Sequence, residues 1–213
     1  MNHGVDALAE QFDDMAQQKD AATLGMWTFL ATEVLFFGGM FLGYITYRHA
    51  YPDVFAHASR HTLLTYGTIN TAVLLTSSLT MALAVRAAQI DSKKWLVRFL
   101  LITVFLGCCF LGVKGLEYYD DLKEHLWPGP NFTKELPPTG QIFWFLYWGM
   151  TGLHAIHVTV GIGLLSLIAG MSARGRFSSY YHTPVEISGL YWHFVDIVWI
   201  FLYPLLYLIN RWS

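Results

Sequence analysis

From Gln141 to Gly170 the chain carries no Asp, Glu, Lys or Arg. A helix of that length, at about 1.5 Å per residue, exceeds the roughly 30 Å hydrocarbon thickness of a bilayer. In lipid no water is present to satisfy backbone N–H and C=O groups, so such a stretch has to be helical. Four further stretches share its character, at Leu24–Tyr47, Tyr66–Ala88, Leu96–Leu116 and Ser188–Ile209. Only 13% of the 213 residues are charged and 54% are hydrophobic, against about 25% charged in soluble domains. The expected fold is therefore all-α: a polytopic membrane bundle of five transmembrane helices. A polar segment, 1–23, precedes a single domain, 24–213.

The net charge of −2 gives no reason to expect nucleic acid. Residues 1–23 hold Asp6, Glu10, Asp13, Asp14 and Asp20 and no apolar core fit for a cleavable signal. Val5, Leu8, Phe12 and Met15 recur at helical spacing, so a short amphipathic helix is expected there. Five spans put the termini on opposite sides. With the N-terminus inside, Lys19, Arg86, Lys93, Lys94, Arg98, Arg174 and Arg176 are cytoplasmic; Arg48, Arg60, Lys123, Lys134 and Arg211 lie outside. That excess favours a cytoplasmic N-terminus and a periplasmic C-terminus. Segment 117–140, with Pro128, Pro130, Pro137 and Pro138, reads as an ordered loop without long helices. Trp127, Trp144, Trp148 and Trp212 suit an interfacial belt at the outer ends. Gly39 and Gly43, with Gly38, form a GxxxG pattern that permits close helix approach.

The ionisable groups inside these spans are the candidate functional residues, because each costs several kcal/mol at the bilayer centre, about 2.5–3.5 for Asp on insertion scales. Glu33 lies about 14 Å past Leu24 along the helix axis, near mid-depth. It reads either as a carboxyl beside a proton path or lipid headgroup, or as one hydrogen-bonded to a neighbouring helix. His154 and His157 share a face of the fourth span, which Met150 and Gly161 extend. His193 and Asp196 sit three apart within the apolar run Tyr191–Tyr203. Glu33, His157 and Asp196 fall at similar depths, so a polar cluster joining spans one, four and five is geometrically allowed. Interhelical hydrogen bonding is favoured over a metal site, since one helix offers only two ligands where zinc or copper takes three or four. Lys114 and Glu117, also three apart, read as an ion pair snorkelling to the interface.

Cys108 and Cys109 are adjacent and read as small apolar filler. No CxxC, CxxCH or phosphate-gripping glycine loop occurs. Three transmembrane histidines plus His182 disfavour a di-haem cytochrome, though counting leaves open one haem between His154 or His157 and His193. A stand-alone proton-coupled transporter would predict internal pseudo-symmetry or interrupted helices, and neither is evident.

Several stretches, taken in order, resemble subunit III of the haem-copper terminal oxidases. They are Ala31–Gly39 around Glu33, Asn70–Ser78, the third-span ending Gly115–Tyr119, Thr151–Val158 with its two histidines, and Tyr191–Tyr203. The similarity runs from residue 24 to 209 and looks like the short five-helix bacterial form, without the two extra helices that complete a lipid-filled cleft in the longer one. The resemblance implies a non-catalytic chain in the bacterial cytoplasmic membrane. It implies no haem or copper of its own, the redox centres residing in partner subunits I and II. It also implies packing on subunit I, bound phospholipid, support of proton uptake, and contact with other respiratory complexes as an open option. By resemblance Glu33 is the buried glutamate beside subunit I. Lys114, Glu117, His154, His157, His193 and Asp196 are expected to be structural or lipid-associated. The setting expected from the resemblance is a proton-pumping cytochrome c oxidase, towards which the ending Phe201–Tyr203 leans; a quinol oxidase is the runner-up, since the helix motifs do not separate the two donors, and a nitric-oxide reductase accessory protein is a further alternative.

Overall fold

A computed structural model describes residues 10–133, 135–178 and 180–208. Among them the chain forms six α-helices: α1 (Met15–Ala50), α2 (Pro52–Arg60), α3 (Leu64–Gln89), α4 (Lys93–Lys123), α5 (Gly140–Ala173) and α6 (Thr183–Tyr203). All but α2 are long and apolar enough to cross a membrane. A π turn, Pro204–Leu208, continues α6. Pro204 has no N–H to give the preceding turn, so the wider π pattern takes over from the α ladder there.

Most of the helices run past the ends of the expected spans, α1 starting at Met15 and α4 ending at Lys123. α1 begins at Met15, where the Asp14 carboxylate accepts from the Gln17 N–H at 2.7 Å. Phe12 precedes that cap and Met15 already belongs to α1, so no separate helix occurs between them. Val5 and Leu8 of the anticipated amphipathic segment lie outside the described residues. α4 runs on to Lys123, which removes the first part of the loop expected at 117–140. Residues Lys114, Glu117 and Asp121 all face inward there and hold the added turns. α2 was not anticipated. Its Phe55 is fully buried and meets Tyr44 and Phe143 edge-on, at 5.4 and 5.5 Å between centroids, so α2 lies across the α4–α5 loop end of the bundle.

α3 and α6 run antiparallel in one register. Gly67 faces Tyr203 and Tyr207, Thr71 accepts from Trp199, Ser77 accepts from Trp192, Ser78 bonds His193, and Gly189 meets Met81 and Val85. The close glycines are therefore Gly67, Gly107, Gly161 and Gly189. A Cβ at Gly107 or Gly161 would stand 2.8 or 2.9 Å from the Trp192 ring. Gly38, Gly39 and Gly43 have nothing of this chain within 4 Å of a Cβ position. The GxxxG pattern of α1 thus faces away from the bundle, and the close approach expected of it does not occur among these helices.

Trp144, expected in an interfacial belt, is fully buried against Phe143 and Tyr147. The reason is helical phase, which turns it inward beside Tyr147 while Trp148 lies at the margin. Trp127 is exposed and packs on Trp148 at 4.9 Å. Trp212 lies outside the described residues. Cys108 faces outward and Cys109 is half-buried; both are free thiols.

Candidate functional site

Two polar constellations are built into the apolar bundle. The first joins α1 to α5 at mid-depth. Glu33 Oε2 lies 3.2 Å from His157 Nε2, both side chains largely covered. His157 Nδ1 stands 2.9 Å from the Leu153 carbonyl, which can only accept, so Nδ1 carries a hydrogen. Phe37 packs edge-on against the imidazole at 5.3 Å, and Tyr191 donates to the His157 carbonyl at 3.0 Å. Next to the pair, α1 and α6 enclose an apolar groove of about 450 Å³ lined by Trp27, Leu30, Phe41, His193 and Phe201.

The expected three-span cluster forms only in part. His193 Nδ1 bonds the Ser78 hydroxyl of α3 at 2.8 Å. Asp196 is 3% exposed and neither of its oxygens finds a hydrogen-bond partner among the described residues. Asp196 therefore does not join Glu33 and His157. His154 does not join them either. A three-residue step turns a helix by about 300°, which aims His154 at Phe110 and Trp199, 5.5 and 5.2 Å away, while His157 faces α1. Both His154 nitrogens lack hydrogen-bond partners among the described residues. Among those residues no three of His, Cys, Asp and Glu gather as a metal-holding group.

The second constellation lies toward the α4–α5 loop, where α4, α5 and the π turn meet. Lys114 and Glu117 do pair, at 3.0 Å, but with 2% and 0% of their side chains exposed. The anticipated snorkel is absent, because three acceptors are brought to the ammonium inside the bundle. Lys114 Nζ donates to Glu117 Oε2 at 3.0 Å, Tyr147 Oη at 3.0 Å and Tyr207 Oη at 2.7 Å. It also stands 4.7 Å over the Tyr147 ring and 4.9 Å over that of Tyr118, contacts that favour a cation. Glu117 Oε1 faces both phenols, with Tyr147 Oη at 2.7 Å. Asp121 Oδ2 lies 3.0 Å from the same Tyr147 oxygen. Tyr147, Tyr207 and Asp121 escaped notice as members of this group. The available signal was spacing: Tyr147, Met150, His154, Val158, Gly161 and Leu165 form one buried stripe of α5.

Comparison with known proteins settles the family. The cytochrome c oxidase subunit III family model matches residues 11–212. This chain belongs to the cytochrome c oxidase subunit III family. It is 31% identical over 200 residues to cytochrome c oxidase subunit 3 of Thermostichus vulcanus, covering 93% of this chain and 92% of that one. It is 30% identical over 210 residues to the probable quinol oxidase subunit 3 of Staphylococcus epidermidis, covering 95% and 96%. A cytochrome c oxidase subunit 3 of Gadus morhua is 32% identical over 189 residues, covering 86% of this chain and 67% of its own length. The chain is thus a subunit III of a haem-copper oxidase, a membrane component of a terminal oxidase complex that associates with other oxidase subunits. Subunit III of this family is non-redox.

Proposed function

We propose that this chain serves a proton-pumping cytochrome c oxidase in a bacterial cytoplasmic membrane, N-terminus on the cytoplasmic side, packing on subunit I in a complex with subunit II. Haem and copper reside in those partners. This chain stabilises the complex, holds phospholipid and supports proton uptake. One observation carries the packing: α1 is the least covered of the spanning helices, and it leaves Gly39 exposed with open space beside it, while Gly38 borders the groove shared with α6. Small residues let a neighbouring helix approach closely in lipid. The apolar groove between α1 and α6 supports acyl-chain binding, and the nearness of Glu33 to it supports a role for that carboxyl in proton uptake.

The test is affinity purification in mild detergent with a reduced-minus-oxidised spectrum. Gly39→Leu is expected to leave this chain in the membrane while the haem signal and the two large partners are lost. Haem recovered at the wild-type level would sink α1 as the docking face. Glu33→Gln keeps a hydrogen-bond donor for His157 but removes the exchangeable proton. It is expected to leave assembly intact and to slow proton uptake or shorten the turnover lifetime severalfold; unchanged uptake and inactivation kinetics would refute the role.

A quinol oxidase is the second reading, favoured by the near-equal identity to the Staphylococcus epidermidis relative. Turnover of the purified complex with reduced cytochrome c against a quinol decides between them.

A further inference from the structure

We propose that the buried cluster of Lys114, Glu117, Asp121, Tyr147 and Tyr207 is a proton-binding site, holding one proton shared between the two carboxyl groups through the Tyr147 hydroxyl.

The inference comes from counting hydrogens. The three hydrogens of the Lys114 ammonium are taken by Glu117 Oε2, Tyr147 Oη and Tyr207 Oη. The Tyr207 hydroxyl hydrogen goes to Glu117 Oε1. Tyr147 has one hydroxyl hydrogen and two carboxyl oxygens within reach, Glu117 Oε1 at 2.7 Å and Asp121 Oδ2 at 3.0 Å. With both carboxyls ionised, one of these close O···O pairs would have no hydrogen in it. A single added proton fills the gap in either of two ways. Asp121 can donate to Tyr147 while Tyr147 donates to Glu117, or each bond can reverse. The proton thus moves between the acids by exchange of two short bonds, with no side chain displaced.

Counting charge gives the same answer independently. One ammonium faces two carboxylates, and Glu117 and Asp121 are 0% and 2% exposed. Unpaired charge is costly where water is excluded, and two carboxylates sharing one partner relieve it by holding a proton between them. One proton brings the sum to zero. The titratable groups around the cluster are Tyr147 and His154 of α5, Tyr207 of the π turn, Tyr66 of α3 and Tyr118 of α4, whose hydroxyl is occupied by Thr151 at 2.8 Å; the His154 imidazole lies against Trp199 with neither nitrogen hydrogen-bonded among the described residues. None of these adds a cation. Asp120, beside Asp121 in sequence, is half-buried and accepts from Tyr66 at 3.1 Å, and Glu124 one turn on is exposed. These acids lead from the cluster to the aqueous face at the α4–α5 loop end, a route for the proton to exchange with solvent.

The test is infrared spectroscopy of the protein purified with whatever subunits accompany it, comparing H2O with D2O. The observable is the carbonyl stretch of protonated carboxyl groups. Asp121→Asn and Glu117→Gln each leave one carboxylate against one ammonium, a neutral pair without a proton. Each variant alone should therefore lose one protonated-carboxyl equivalent per chain. Lys114→Gln leaves two acids and no cation and should gain one. Loss in neither acid variant means that the site holds no proton; loss in only one means that the proton is fixed on that residue. Either result overturns the proposal. It stands apart from the oxidase reading, since the same spectra are obtained whichever partners co-purify.

Discussion

Gly161→Val is expected to lower the unfolding midpoint of this chain strongly. The Trp192 indole is wedged between α4 and α5, with Gly107 on one side and Gly161 on the other, and its Nε1 donates to Ser77 of α3 at 3.0 Å. A Cβ at Gly161 would lie 2.9 Å from two Trp192 ring carbons and 3.3 Å from the Tyr191 ring. The ring is held from three helices and has no room to withdraw. Overpacking of this kind costs about 1–3 kcal/mol, and valine adds two methyls beyond that Cβ, so the upper end is expected. Trp192→Ala errs in the opposite direction and should cost about 3–5 kcal/mol through the cavity it leaves. Gly39→Val serves as the control, because nothing of this chain approaches it. Thermal unfolding in detergent measures all three. An unchanged midpoint for Gly161→Val would mean that α4 and α5 do not grip the ring.

The second large effect belongs to Lys114. Lys114→Met removes three donated bonds at once and leaves Glu117 and Asp121 facing two phenols without their cation. Stripping one partner from a buried ion pair destabilises by about 3–5 kcal/mol. The double change Lys114→Met with Glu117→Leu removes one of the two acids left without a cation and should recover part of that loss. Additive losses in the same unfolding assay would show that the two residues act separately, contrary to the 3.0 Å contact between them.

The five spans were legible because a bilayer allows long apolar runs with at most two charged residues to be nothing but helices. Their ends were less so. Hydropathy marks where lipid stops, whereas α1 and α4 continue until the Asp14 cap and the Asp121 packing let them stop. Pairings followed a similar division. Lys114 with Glu117 is written in one helix as an i, i+3 step. Glu33 with His157 could be proposed from equal depth, but depth says nothing of azimuth, and azimuth is what separates His154 and Asp196 from that pair. Tyr147 and Tyr207 carry no charge, so no rule about ionisable groups in lipid draws attention to them. The glycines show the limit most sharply. The pattern in α1 met the rule for helix contact, yet the contacts within this chain are at single glycines, Gly67, Gly107 and Gly161 opposite aromatic rings and Gly189 opposite Val85 and Met81.

Tyr44 of α1 donates to the carbonyl of Leu205, a bond that spans 161 positions of the chain, and Glu33 of α1 waits for His157 of α5. Ribosomes deliver α1 first and those partners last. During synthesis the opening helix therefore sits in the membrane with its carboxyl unanswered while α3 and α4 assemble beside one another. A nascent chain stalled before α5 therefore leaves in lipid an acid whose partner the finished molecule supplies.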